Sequence, residues 1–116
     1  MNKTQAKTQK RVSRHKRIRA KAIGTAVKPR LAVFKSNTAV YAQLIDDSTH
    51  TTLAAADTRK LKGDSLTARA SELGSVIAKK AKDAGIEAVV FDRGGFKYQG
   101  SIAALADSAR SGGLTF

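Results

Sequence analysis

The sequence predicts a single small α/β domain, three antiparallel strands followed by helix, strand and helix in a mixed sheet packed with helices, preceded by a basic N-terminal arm. Three observations predict it. Residues 30–56 hold three short runs rich in β-branched, aromatic or alternating apolar residues; from Ser65 the apolar period lengthens to three and four; and an unalternating apolar run at 88–91 separates two helical stripes. At 116 residues the chain has room for one hydrophobic core and not for two ordinary domains. With 41% apolar but only 5% aromatic residues, that core is expected to consist of Ala, Val, Leu and Ile, with Phe34, Phe91, Phe96 and Phe116 as its few large anchors.

The arm ends at the punctuation of Gly24 and Pro29, so residues 1–28 form the arm, disordered or partly helical when free, and 29–116 the globular domain. Residues 30–36 (RLAVFKS) and 39–46 (AVYAQLID) read as a hairpin around Ser36-Asn37-Thr38, and 51–56 (TTLAAA) as a third strand after the polar turn at Asp46, Asp47, Ser48 and Thr49. Leu66, Ala70, Leu73, Ile77, Ala81 and Ala84 then recur at helical spacing, with Asp64 as N-cap and Gly85 as stop. Ala88 to Phe91, apolar without alternation, reads as a strand covered on both faces and therefore interior to the sheet. A second helix at 101–111 puts Ile102, Leu105, Ala106 and Ala109 on one side and stops at Gly112-Gly113, after which Leu114 and Phe116 pin the C-terminus.

Charge is distributed unevenly. The net charge is +13; residues 1–30 hold eleven bases and no acid, while the remaining 86 residues hold eleven bases and nine acids and so carry only +2. A nearly neutral globule with a cationic arm points to a polyanionic partner, and nucleic acid is the commonest one for a soluble protein. On a helix at about 100° per residue, Lys3, Lys7, Lys10, Arg14, Arg17 and Lys21 would fall within roughly 80° of arc. The opposite side offers Val12 and Ile23, too little to hold a bilayer. The like-charged i,i+4 neighbours along the stripe repel, so the arm is expected to order only against phosphates. No apolar run approaches the length of a membrane helix, and no cysteine supplies a disulfide or a thiolate metal site. A transit peptide would require more Ser and more bulky apolar residues than the first 20 residues contain.

Catalytic chemistry has little to work with. His15 sits among the bases and His50 in a turn, neither with a metal-ligand companion at useful spacing. A two-metal nuclease on such a sheet requires a carboxylate on the first strand, where this chain has Arg30 and Lys35 and no acid. Gly94-Gly95 lacks the spacing and the Gly-Lys-Ser/Thr end of a phosphate loop. The same segment does interleave Arg93 and Lys97 with Phe96 and Tyr98, cations for phosphates and rings that either stack on bases or pack the loop onto the core.

Taken together, the basic arm, Arg30-Leu31-Ala32-Val33-Phe34-Lys35-Ser36, Val40-Tyr41-Ala42-Gln43-Leu44-Ile45, Phe91-Asp92-Arg93-Gly94-Gly95-Phe96-Lys97-Tyr98-Gln99-Gly100, and Ala104-Leu105-Ala106-Asp107 leading to Gly113-Leu114-Thr115-Phe116 resemble the bacterial large-subunit ribosomal protein family numbered eighteen. The resemblance covers essentially the whole chain. It implies a ribonuclease-H-like (translational-machinery-component) α/β fold without catalytic carboxylates, binding to 5S rRNA through the arm, and a place in the central protuberance of the large ribosomal subunit in the cytoplasm. The implied partners are 5S rRNA, 23S rRNA and neighbouring 5S-binding proteins, notably ribosomal protein five; no membrane, small-molecule substrate, cofactor, metal or enzymatic activity is implied. The implied RNA-binding residues are Lys3, Lys7, Lys10, Arg11, Arg14, His15, Lys16, Arg17, Arg19 and Lys21 in the arm, and Arg30, Phe34, Lys35, Ser36, Tyr41, Arg93, Lys97 and Tyr98 in the globule. Where the family commonly has basic or histidine residues, this chain has Thr38-Ala39, Gln99 and Ser101, so no contact is assigned to them. A general architectural RNA- or DNA-binding protein is the alternative reading of the same arm.

Overall fold

The computed structural model describes residues 8–14, 23–59, 61 and 63–116. Residues 8–14 are helical, and the globule follows with β1 (Arg30–Lys35), β2 (Val40–Asp46), β3 (Thr51–Asp57), α1 (Leu66–Asp83), β4 (Val90–Asp92) and α2 (Ser101–Ser111). The sheet order is β3-β2-β1-β4, with β1–β2 and β2–β3 antiparallel and β1–β4 parallel. The expected mixed sheet and element order are therefore observed.

Strand periodicity sorts the side chains into two faces. Leu31 and Val33 of β1 and Val40, Ala42 and Leu44 of β2 are buried against Leu73, Ile77 and Ala81 of α1 and Ile102, Leu105 and Ala109 of α2. Each such Leu or Ile contributes about 1.5–3 kcal/mol relative to its exposed state. Since β3 and β4 run parallel at opposite edges, the connection between them must cross the sheet, and α1 makes that crossing. Both helices thus lie over one face. The other face carries Arg30, Ala32 and Phe34 opposite Ile45, Gln43 and Tyr41.

The structure corrects three local expectations. Ser65, not Asp64, caps α1: its hydroxyl accepts from the Ala68 amide at 3.1 Å. β4 is an edge strand rather than an interior one, since among the named strands it pairs with β1 alone; Phe91 stacks on Phe116 with centroids 5.3 Å apart, and a parallel bridge from Ala88 to Thr115 brings the C-terminal segment alongside. Shelter comes from the chain end instead of a further strand. Phe34 is not a core anchor, since it shares its strand face with Arg30 and Ala32 and is 51% exposed. The anchors are Leu31, Leu44, Leu73, Ile77, Ile102 and Leu105, with Phe91, Phe96 and Phe116 packed at the core's margin.

Candidate nucleic-acid interface

The face of the sheet that α1 and α2 leave uncovered, helix-free apart from the short segment 8–14 at its rim, forms a groove of about 860 Å³, with Ala32, Gln43 and Ile45 among its floor residues and Arg11 and Val12 of that segment at one wall. That segment is held by two contacts. Arg14 Nε donates to the Gly95 carbonyl at 2.8 Å, and the Arg11 guanidinium lies 5.3 Å from the centre of the Phe96 ring. From Phe96 the aromatic contacts continue across the face: Phe96 meets Phe34 edge to face at 5.6 Å, Phe34 meets Tyr41 at 6.0 Å with the rings tilted by 43°, and Arg59 lies over Tyr41 at 5.9 Å. Three rings in a row are flanked by a guanidinium at each end.

Beside this row lies a buried ion-pair cluster. Arg30, its side chain 11% exposed, donates from Nη1 to Asp92 at 2.8 Å and from Nε and Nη2 to the two carboxylate oxygens of Asp47 at 3.1 and 3.2 Å. Burial works to lower the Arg30 pKa, but the hydrogen bonds and charges of Asp47 and Asp92 outweigh it and the pKa is raised. Asp47 also accepts from the Gly24 amide at 2.6 Å, and its own amide donates to the Gly24 carbonyl at 3.0 Å. A side chain at Gly24 would collide with Arg30, so glycine is what lets the chain pass this close. Gly24 is thus packed against the Arg30–Asp47 pair.

The loop after β4 is shaped by Gly94 and Gly95, both with positive φ (64° and 79°), and by Arg93, whose guanidinium donates to the Phe96 carbonyl at 2.6 Å. Lys97 is exposed. Tyr98 is 44% exposed, with its hydroxyl accepting from Arg110 at 2.8 Å and its ring edge to face with Phe91 at 6.0 Å. Of the two readings of this loop's rings, Phe96 packs at the core margin while turning towards the helix-free face, and Tyr98 lies on the surface.

Lys10, Arg11 and Arg14 are described; Lys3, Lys7, His15, Lys16, Arg17, Arg19 and Lys21 lie outside the described residues, and so does most of the expected basic stripe. Phe34 and Tyr41 come together as neighbours in register, and Lys35 ends β1. The Ser36 hydroxyl is engaged in its own turn, accepting from the Ala39 amide at 3.1 Å. Sequence reasoning missed Arg59 and Gln43. Gln43 was legible from strand parity, two residues from Tyr41; Arg59 was not, because its approach to Tyr41 depends on the pairing of β2 with β3. Among the described residues no three His, Cys, Asp or Glu side chains gather as metal ligands, and no helix is long and apolar enough to cross a membrane.

Residues 5–116 match the family model described as "Ribosomal L18 of archaea, bacteria, mitoch. and chloroplast". Similar proteins named large ribosomal subunit protein uL18 include that of Lactococcus lactis subsp. lactis, 54% identical over 110 residues and 95% of either chain, and that of Thermosynechococcus vestitus, 52% identical over 118 residues, 97% of this chain and 98% of its own. That of Acholeplasma laidlawii is 53% identical over 106 residues, 91% of either chain.

Proposed function

Because the chain belongs to the ribosomal L18 family, we propose that it is a structural, non-enzymatic constituent of the large ribosomal subunit that binds 5S rRNA and helps attach it to 23S rRNA in the central protuberance. Its site is the cytoplasmic ribosome, and ribosomal protein five and other 5S-binding proteins are its neighbours. The observation that carries the RNA reading is the placement of charge: eleven bases and no acid in residues 1–30, with Arg11 and Arg14 held at the rim of the helix-free face. Phosphates are taken by the arm bases Lys3, Lys7, Lys10, Arg11, Arg14, His15, Lys16, Arg17, Arg19 and Lys21, with Lys35, Arg93 and Lys97 from the globule, while Phe34, Ser36, Tyr41 and Tyr98 supply surface for the RNA to rest on. Arg30 acts by positioning: with Asp47 and Asp92 around its guanidinium, it sets the arm's exit and does not reach out to a phosphate.

Filter binding over a salt series tests this reading. If about six side chains meet phosphates, log K falls against log salt with a slope near −5, a loss of roughly 10³ between 50 and 200 mM. Removing residues 1–22, which keeps the Gly24 anchor while deleting nine bases, flattens that slope. At about 150 mM salt, where non-specific contacts are weak, 5S rRNA outcompetes tRNA and duplex DNA. A truncated chain that holds 5S rRNA as tightly as the intact one removes the arm from the mechanism.

A further inference from the structure

We propose that Arg11, Phe96, Phe34, Tyr41 and Arg59 form a stacking platform for unpaired RNA bases, receiving a looped or bulged single-stranded stretch on the helix-free face of the sheet. This rests on the reading of the chain as an RNA-binding protein, and adds which part of the RNA the globule takes and by what interaction. Phe34 stands in the middle of the row, the most exposed of its three rings, with no guanidinium over it among the described residues. No two rings of the row lie parallel on each other, so the row does not close on itself as a stack.

Charge selects the occupant. The carboxylates on this face already hold arginines, Asp57 binding Arg59 at 2.9 Å and Asp92 binding Arg30 at 2.8 Å, so what the row presents is flat rings with the Arg11 cation at one end and an arginine–aspartate pair at the other. An apolar peptide would satisfy the rings and leave the cation at the Arg11 end unmatched, whereas an acidic peptide would do the reverse. Single-stranded nucleic acid alternates π-faces with phosphates and matches both. Paired bases are excluded because their faces are enclosed in their own stack, so a duplex can reach the rim arginines but not Phe34. The 860 Å³ hollow leaves room above the rings, and Gln43 on its floor offers an amide donor and acceptor to a base edge.

The test uses the full-length chain and compares 5S rRNA with a perfectly paired RNA duplex across a salt series. Phe34→Leu keeps apolar bulk and loses the ring; Phe34→Tyr keeps it. Stacking is not ionic, so Phe34→Leu weakens 5S rRNA binding by about 5- to 150-fold at every salt concentration with the slope unchanged. Phe34→Tyr restores wild-type binding, and the paired duplex binds all three proteins equally. Urea unfolding confirms that the variants are folded, as the exposure of Phe34 leads one to expect. Equal 5S rRNA affinity of Phe34→Leu and wild type overturns the platform while leaving the arm's role intact. So does a photo-crosslink from benzoylphenylalanine at position 34, in assembled subunits, that captures a protein in place of RNA. Should the wild-type chain show no preference for 5S rRNA over tRNA, the ribosomal reading fails instead. The platform is then judged by the same Phe34→Leu comparison on an oligouridylate strand.

Discussion

Asp47 and Asp92 hold Arg30 from two sides, and this cluster is where single residues matter most. Asp92 is 1% exposed, so Asp92→Ala leaves the guanidinium inside the protein with one partner gone; the expected loss is about 3–5 kcal/mol, read from urea denaturation. A loss below about 1 kcal/mol, the scale of a surface pair, would show that the cluster does not hold the fold. Asp46 behaves differently from its neighbour. The Ser48 hydroxyl bonds its carboxylate and, against the opposing effect of burial, holds its pKa below the ordinary carboxylate value. A depressed folded pKa contributes stability above the unfolded value that is lost as pH falls through the folded one. Ser48→Ala is therefore less stable than wild type at neutral pH, and the gap closes in acid below the ordinary Asp range; unfolding at both pH values measures it, and a gap that widened in acid would contradict the assignment.

Between elements, the pairing of α1 with α2 depends on close approach. A Cβ at Gly74 would meet the Leu105 carbonyl and the Ser108 side chain, and from the next residue the Ser75 hydroxyl bonds that of Ser108 at 2.9 Å. Alanine is the better helix former by about 1 kcal/mol, but overpacking against a backbone carbonyl costs about 1–3 kcal/mol. Gly74→Ala should thus destabilise the domain by up to about 2 kcal/mol, and a thermal melt showing net stabilisation would mean that the helices can separate freely. The helical segment 8–14 is held by less, Arg14 on Gly95 and Arg11 on Phe96, while Lys10 and Arg14 repel within it. A peptide of residues 1–27 lacks both anchors and is expected to show little helix by circular dichroism in low-salt buffer, gaining it when RNA is added. A full helix without RNA would refute this.

For the whole molecule, the division of labour is between a layered globule and a concentrated charge. Two helices, α1 and α2, cover one face of the sheet, and the face they leave open is where the aromatic row and the arm's described bases meet. An antiparallel sheet with one uncovered face normally alternates apolar and polar residues, and Phe34 and Tyr41 break that alternation. The break coincides with the cationic rim. Such coincidence of part-exposed rings with the arm's positive charge is the pattern expected where folded RNA is bound by both phosphate and base.

Local chemistry determined a great deal by itself. The periods of two and of 3.6 are properties of neighbouring residues, so strand and helix positions could be read directly, as could the charge imbalance and the family resemblance carried by residue order. Parity within β1 even contained the exposure of Phe34, since Arg30 and Ala32 share its face; composition argued otherwise because phenylalanine is most often a core residue. What only the tertiary structure decided were relations between distant parts of the chain. Arg30 finds Asp47 and Asp92 at separations of 17 and 62 residues, β4 takes an edge of the sheet with the C-terminus sheltering it, and the aromatic row crosses from β1 to β2 and the loop after β4. Periodicity tells a side chain which face of its own strand it occupies; which face the helices then cover is settled by how the layers close, and that depends on contacts no local pattern encodes.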